Sequence, residues 1–309
     1  MKFVVFVGMV VSLVTLRERF GGLPGKWEYT FPEGVASTLG NPNKLGAYMA
    51  VLFPFSLWQT RKKWGWIFPP FILFALLLSR SEGAYLSLLF AFLLWSFIYY
   101  PQKRVVIFSG GIFLLCSLFF LFRFIPPHSF YWRLFHWEVG GRIFLSHPFI
   151  GAGLGGVFRD YPVLQAPLRL YFPFPPTSLM EKYLHNDFLQ ILCETGIVGF
   201  FLFYFPFIFI TRFYLRIKKS PEKFIAFSLL TWLMLSMVSF PLYMPSATLL
   251  VLLSSFLYLP RKEIKINFSF PGKLTLILLL FILLFPLFSL NRILIGEYHF
   301  RKGIFYLEK

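Results

Sequence analysis

Long apolar runs, parted by short basic or proline-rich breaks, leave this chain few ways to fold. Nine such segments can be drawn, at about 3–16, 45–58, 65–79, 83–100, 105–122, 188–211, 224–240, 244–259 and 274–291. Only 14% of the 309 residues are charged and 57% are hydrophobic, with a mean hydropathy of +0.69. A soluble domain carries roughly 25% charged residues. Too few polar groups exist to coat a globule, so lipid must solvate most of the surface. The expected fold is all-α: a polytopic helical membrane protein of about nine transmembrane helices. Its membrane domain spans 1–291 with one large extracytoplasmic loop at 123–187, followed by an extracytoplasmic tail at 292–309.

Several segments fall short of the ~20 residues of a straight span. Trp58, Trp64, Trp66, Tyr99 and Tyr100 flank them and supply interfacial aromatics that complete the crossing. The first segment lacks a small-residue cleavage site and runs instead into Arg17-Glu18-Arg19, so it reads as a short transmembrane helix and not as a signal peptide. Pro241 and Pro245 interrupt 224–259, which leaves a re-entrant hairpin open there.

The net charge of +17 would suggest nucleic acid in a soluble protein. Here the basic residues sit in short clusters between apolar runs, which is an orientation signal, and no nucleic-acid partner is expected. Arg61-Lys62-Lys63, Lys103-Arg104, the 212–223 cluster and the 261–273 cluster mark one side as cytoplasmic. All of the 13 acids except Glu222 and Glu263 then fall outside or at outer helix ends. Cys116 and Cys193 lie in or beside apolar runs and read as small buried hydrophobes.

This orientation places a polar island, Arg123 to Glu194, on the extracytoplasmic side. It gathers Arg133, Arg142, Arg159, Arg169, His136, His147 and His185. The turn Gly40-Asn41-Pro42-Asn43 and the boundary Ser79-Arg80-Ser81-Glu82-Gly83 reach the same face. Arg80 is an interfacial anchor, a partner for Glu82, or an anion clamp whose guanidinium matches phosphate oxygens. Arg133 is a solvated loop charge or belongs to an amphipathic stretch with Trp137. Asn186 and Asp187 are good N-cap residues for the helix that follows, and His185 beside them is a candidate proton acceptor. The five histidines show no metal-ligand spacing, so no metal and no cofactor are expected. The glycines of 151–156 suit a tight turn better than a dinucleotide fingerprint.

Three blocks in order carry a resemblance: Arg133-x-x-x-Trp137, His147-Pro148-Phe149-Ile150-Gly151-Ala152-Gly153, and His185-Asn186-Asp187-Phe188-Leu189-Gln190 continuing to Glu194-x-Gly196-x-x-Gly199. Together with the Asn41 and Arg80 blocks they resemble the O-antigen ligase/polymerase superfamily over roughly 35–260. The resemblance implies a GT-C-like membrane glycosyltransferase of the bacterial inner (plasma) membrane. Such an enzyme moves a glycan from an undecaprenyl-diphosphate donor to a hydroxyl acceptor, either a glycan or a lipid A core, on the outer face without metal. Carried over by motif, His185, Arg80 and Arg133 are the implied catalytic residues. Arg142, Asn186, Asp187, Glu194 and Asn41 are the candidate substrate-binding residues, with membrane lipid as the surrounding partner. Relatives usually have about a dozen helices, so the resemblance implies that this chain either starts internally, without several N-terminal helices, or is a short variant. The 292–309 tail reads equally as an interfacial helix or as the start of a helical-repeat extension. A transporter or flippase for lipid-linked glycans is the competing function, disfavoured because no internal repeat is visible.

Overall fold

The computed structural model describes residues 2–21, 34–105, 107–108, 110–111, 127–172, 181–218 and 221–258, all within the compact unit Met1–Leu259. Its main helices are α1 (Lys2–Phe20), α2 (Pro42–Gln59), α3 (Phe68–Leu78), α4 (Glu82–Tyr99), α5 (Pro127–Ser146), α6 (Gly156–Leu168), α7 (Asp187–Arg216), α8 (Glu222–Val238) and α9 (Pro245–Leu257). No strand occurs among the described residues. Most of the expected segments coincide with these helices. Segment 105–122 lies largely, and segment 274–291 and the 292–309 tail lie wholly, outside the described residues, as does Cys116.

α2 and α8 form the centre. α2 packs against α1, α3, α4, α8 and α9, and α8 also touches α4 and α7. Most side chains of both are buried, including Leu45, Met49, Leu52, Phe55, Phe227 and Trp232. Pro54 removes one N–H from the α2 ladder, and Ser228 of α8 donates to the nearby Val51 carbonyl at 2.8 Å. This hydroxyl ties α8 to α2 one residue from the Ala50 carbonyl that Pro54 leaves without its helical donor. A second, smaller core lies under α5 and α6, built on Phe135, Val139, Ile143, Val157 and Tyr161.

By length and composition, Glu82–Tyr99 and Asp187–Arg216 are apolar enough to cross a membrane, and Gly65–Leu78 and Pro245–Leu257 are shorter apolar helices. α7 is not straight, however. Gly196 takes φ 66° and ψ −173° within it. The ring of Phe188 stacks on Tyr204 with centroids 4.2 Å apart. Sixteen residues of straight helix would separate those rings by about 24 Å. The nine residues before Gly196 therefore fold back beside the arm after it. That second arm, 197–216, is about 30 Å long, the thickness of a bilayer core. Its outer face carries exposed Phe201, Leu202, Phe205, Ile208 and Phe209.

The loop after α5 stabilises this bend. Ala152 and Gly153 donate to the carbonyls of Cys193 and Glu194 at 2.8 and 3.0 Å. Ile197 and Val198 donate back to Pro148 and Phe149 at 2.9 and 3.3 Å. The groups that the kink releases are thus paired by the His147–Gly153 segment. Contact is backbone against backbone: a Cβ on Gly196 would meet Phe149 at 2.2 Å, and one on Gly151 would meet Glu194 and Thr195 at 2.4 Å. Both glycines also have positive φ. The glycine run turns as expected, Gly156 donating to the Gly153 carbonyl at 2.9 Å, and it also forms one half of this splice.

Candidate active site

A series of contacts gathers the candidate residues at one end of the bundle. Asn41 caps α2, its side chain accepting from the Asn43 and Lys44 amides at 2.8 and 3.4 Å. Ser81, at the α3–α4 elbow, donates to Asn43 at 3.1 Å. A Cβ on Gly83 would touch Val238 and Ser239, so the start of α4 abuts the end of α8. The α8–α9 elbow then reaches α7, where the Leu242 amide donates to Asp187 Oδ2 at 2.8 Å.

Two of the implied catalytic residues sit on strained backbone. Arg80 and His185 have φ of 51° and 53°, and among the described residues Ser37 is the one other non-glycine with positive φ. Such conformations cost of order 1–3 kcal/mol and persist where the surroundings over-determine them. Arg80 is held by its neighbours: Tyr85 donates to the Leu77 carbonyl at 2.6 Å and Val35 to Leu78 at 3.2 Å. The Arg80 side chain is exposed. Arg133, on α5, donates to Glu82 at 3.0 Å. Glu82 thus engages Arg133, the partner that the sequence did not suggest for it.

His185 precedes the N-cap of α7, where Asn186 accepts from the Leu189 amide at 3.0 Å. Its ring stacks on His136 with centroids 5.6 Å apart, and Phe240 meets it edge-on at 4.9 Å. His136 is 4% exposed, and its Nδ1 lies 2.6 Å from the Tyr161 hydroxyl. Burial pushes His185 down to about 3, with His136 and Arg133 adding to the effect. Burial and then Arg133 push His136 down to about 4. Both imidazoles are therefore neutral at pH 7. Burial also raises the Tyr161 phenol, which keeps its proton.

The segment delivering His185 is clasped from below. Gln190 accepts from the Leu184 amide at 3.0 Å and donates to Lys182 O and Glu194 at 3.2 and 2.8 Å. Cys193 is buried and donates to the Gly140 carbonyl at 3.1 Å, in keeping with its reading as a small buried side chain.

The structure thus brings Arg133 beside Glu82, two residues from Arg80, and sets His185 against His136 within the electrostatic reach of Arg133. Asn41 and Asn186 serve as helix caps, while Asp187 and Glu194 are buried and engaged by Leu242 and Gln190. Arg142 is not part of the group. It pairs with Glu138 at 3.0 Å on the solvent side of α5, nine residues and half a helical rotation from Arg133. Arg159 pairs with Asp160 and Arg169 with Gln165. Sequence reasoning missed His136, Tyr161, Phe240 and Leu242 as site components. One signal was available: His136 lies three residues after Arg133, hence on the same helix face. Among the described residues no group of His, Cys, Asp and Glu is arranged to hold a metal ion.

Residues 70–204 match the family model described as O-antigen ligase. Over this segment the chain is similar to the O-antigen ligase family, which supports the resemblance to the O-antigen ligase/polymerase superfamily. The match runs from α3 to just past the α7 bend and includes Arg80, Arg133 and His185; Asn41 lies outside it. Comparison with curated proteins yields no match.

Proposed function

We propose that the chain transfers a glycan from an undecaprenyl-diphosphate donor to a hydroxyl acceptor at the extracytoplasmic membrane face. The observation that carries this reading is the stack of partly exposed His185 on buried His136 beside the Arg133–Glu82 pair, inside the O-antigen ligase segment. The bare apolar face of α7 suits a polytopic protein of the bacterial inner membrane, and the lipid tail of a donor needs such surroundings.

In the proposed step the acceptor O–H gives its proton to the neutral His185 imidazole. The acceptor oxygen bonds to the anomeric carbon as the bond from that carbon to the diphosphate oxygen breaks. The electron pair leaves with the diphosphate, whose charge Arg80 and Arg133 stabilise without a metal. An imidazole whose acid form has a pKa near 3 is a weak base. Burial is the largest cause of that depression and Arg133 a smaller one, so a bound diphosphate that neutralises the guanidinium raises His185 by the Arg133 part alone. Donor binding and base activation are thereby coupled.

The test is cellular. In a strain lacking its own copy, His185→Ala, Arg80→Ala and Arg133→Ala are expected to abolish the surface glycan that the wild type restores. Normal glycan from all three, at wild-type protein levels, would remove the proposed site.

A further inference from the structure

We propose that the end of the bundle opposite His185 holds a binding site for an anionic glycerophospholipid. This goes beyond the transfer reaction and rests only on the chain's being embedded in a membrane. A cleft of about 520 Å³ opens between the first turns of α1 and the α2–α3 connection. Along α2 it begins at Gln59, sixteen residues from Asn43 and thus about 24 Å from the candidate active site.

The chemistry of its lining is divided. Phe3, Phe6, Trp64 and Phe68 form apolar walls, and Phe3 and Trp64 are largely exposed, as residues facing acyl chains would be. Lys2, Lys62 and Lys63 stand at the same opening. The turn that presents the lysines is tightly wound. Lys62 N donates to Gln59 O and Gly65 N to Lys62 O, both at 2.9 Å, and a Cβ on Gly65 would lie 1.6 Å from the Gln59 carbonyl. Lys62 also lies over the Trp58 ring at 5.7 Å.

An independent observation comes from Gln59. Gln59 is among the residues lining the cleft, is 2% exposed, and its buried Nε2 has no hydrogen-bond partner among the described residues. A buried donor left without an acceptor is costly and marks a place where a ligand supplies one. A lipid phosphate or ester oxygen gives the amide its acceptor, the lysines neutralise the phosphate, and the phenyl and indole rings take the chains. Basic pockets between helices on the cytoplasmic side recognise lipid headgroups by this combination.

The experiment is native mass spectrometry of the full detergent-purified chain with added dioleoylphosphatidylglycerol, dioleoylphosphatidylcholine or inorganic phosphate. Retention of phosphatidylglycerol over phosphatidylcholine is expected. Each lysine near a charged lipid surface contributes about 1 kcal/mol, so Lys62→Gln with Lys63→Gln should weaken retention about 25-fold. Gln59→Leu should weaken it as well, whereas Lys103→Gln with Arg104→Gln, on a different basic loop, should not. Melting midpoints identify any variant that has lost its fold. Equal retention of the two lipids, an equal effect of the 103/104 pair, or displacement of phosphatidylglycerol by inorganic phosphate alone would each overturn the proposal. None of these readouts depends on glycan transfer.

Discussion

His185 occupies a backbone conformation that few non-glycine residues adopt, and its ring packs against another imidazole and a phenylalanine. Loss of a true general base lowers a rate by about 10²–10⁴, which sets the expected effect of His185→Ala on turnover. His136→Phe, which keeps the stack but drops the Tyr161 contact, should lower turnover less. Both histidines are pushed below their ordinary value, so the unfolded chain takes up protons that the folded one refuses as pH falls below about 6.5. Stability is therefore fully present above that pH and is lost from about 6.5 down to about 4 for His136 and about 3 for His185. Melting in detergent at pH 7 and pH 4.5 checks this, and His136→Phe should flatten the dependence. Replacing Arg133 by Gln removes a charge that lowers both rings, so their proton resonances should titrate at higher pH. At this scale the sequence was legible for Arg80, Arg133 and His185 as residue types in order. It named His136 only as a member of the polar island and was silent on its partnership with Tyr161, which spans 25 residues and exists only once α5 and α6 pack.

Among the elements, the α7 bend does most to shape the site, because it turns Asp187–Thr195 back and holds His185 beside α5. Its requirement for glycine is steric and conformational together. Gly196→Ala should destabilise the protein by several kcal/mol, since left-handed backbone and a backbone clash at 2.2 Å act at once. Gly141→Ala in α5 meets nothing within 4 Å and should be neutral or stabilising by up to ~1 kcal/mol. Thermal unfolding of the two variants side by side separates these cases. The hydrophobic run 188–211 gave no sign of the bend, because a kink made by pairing with a distant loop leaves hydropathy unchanged. The caps were readable: Asn41 and Asn186 accept the amides that their positions imply. The Pro241–Tyr243 elbow, expected only as an interruption, supplies the Asp187 clasp and, through Phe240, a wall for His185.

For the whole molecule, all-helical architecture followed from composition, because a chain with 14% charged residues has little else available in lipid. The separate small core under α5 and α6 did not, since its buried faces are spread among polar residues. Charge placement predicts an orientation, and it is testable: a reporter inserted after Lys63 should report the cytoplasm and one after Arg169 the outer side. The reverse pattern would move the site to the cytoplasmic face and remove the lipid-diphosphate reading. The central claim, that Arg80, Arg133 and His185 form a metal-independent glycosyl-transfer site, is met most directly in detergent, where no compartments exist. Purified chain is mixed with undecaprenyl-diphosphate-linked glycan and an acceptor in the presence of a chelator, and the joined product is measured. The account predicts product from the wild type and at least about 10²-fold less from folded His185→Ala; equal product from both, or none from folded wild type with a range of acceptors, would contradict it.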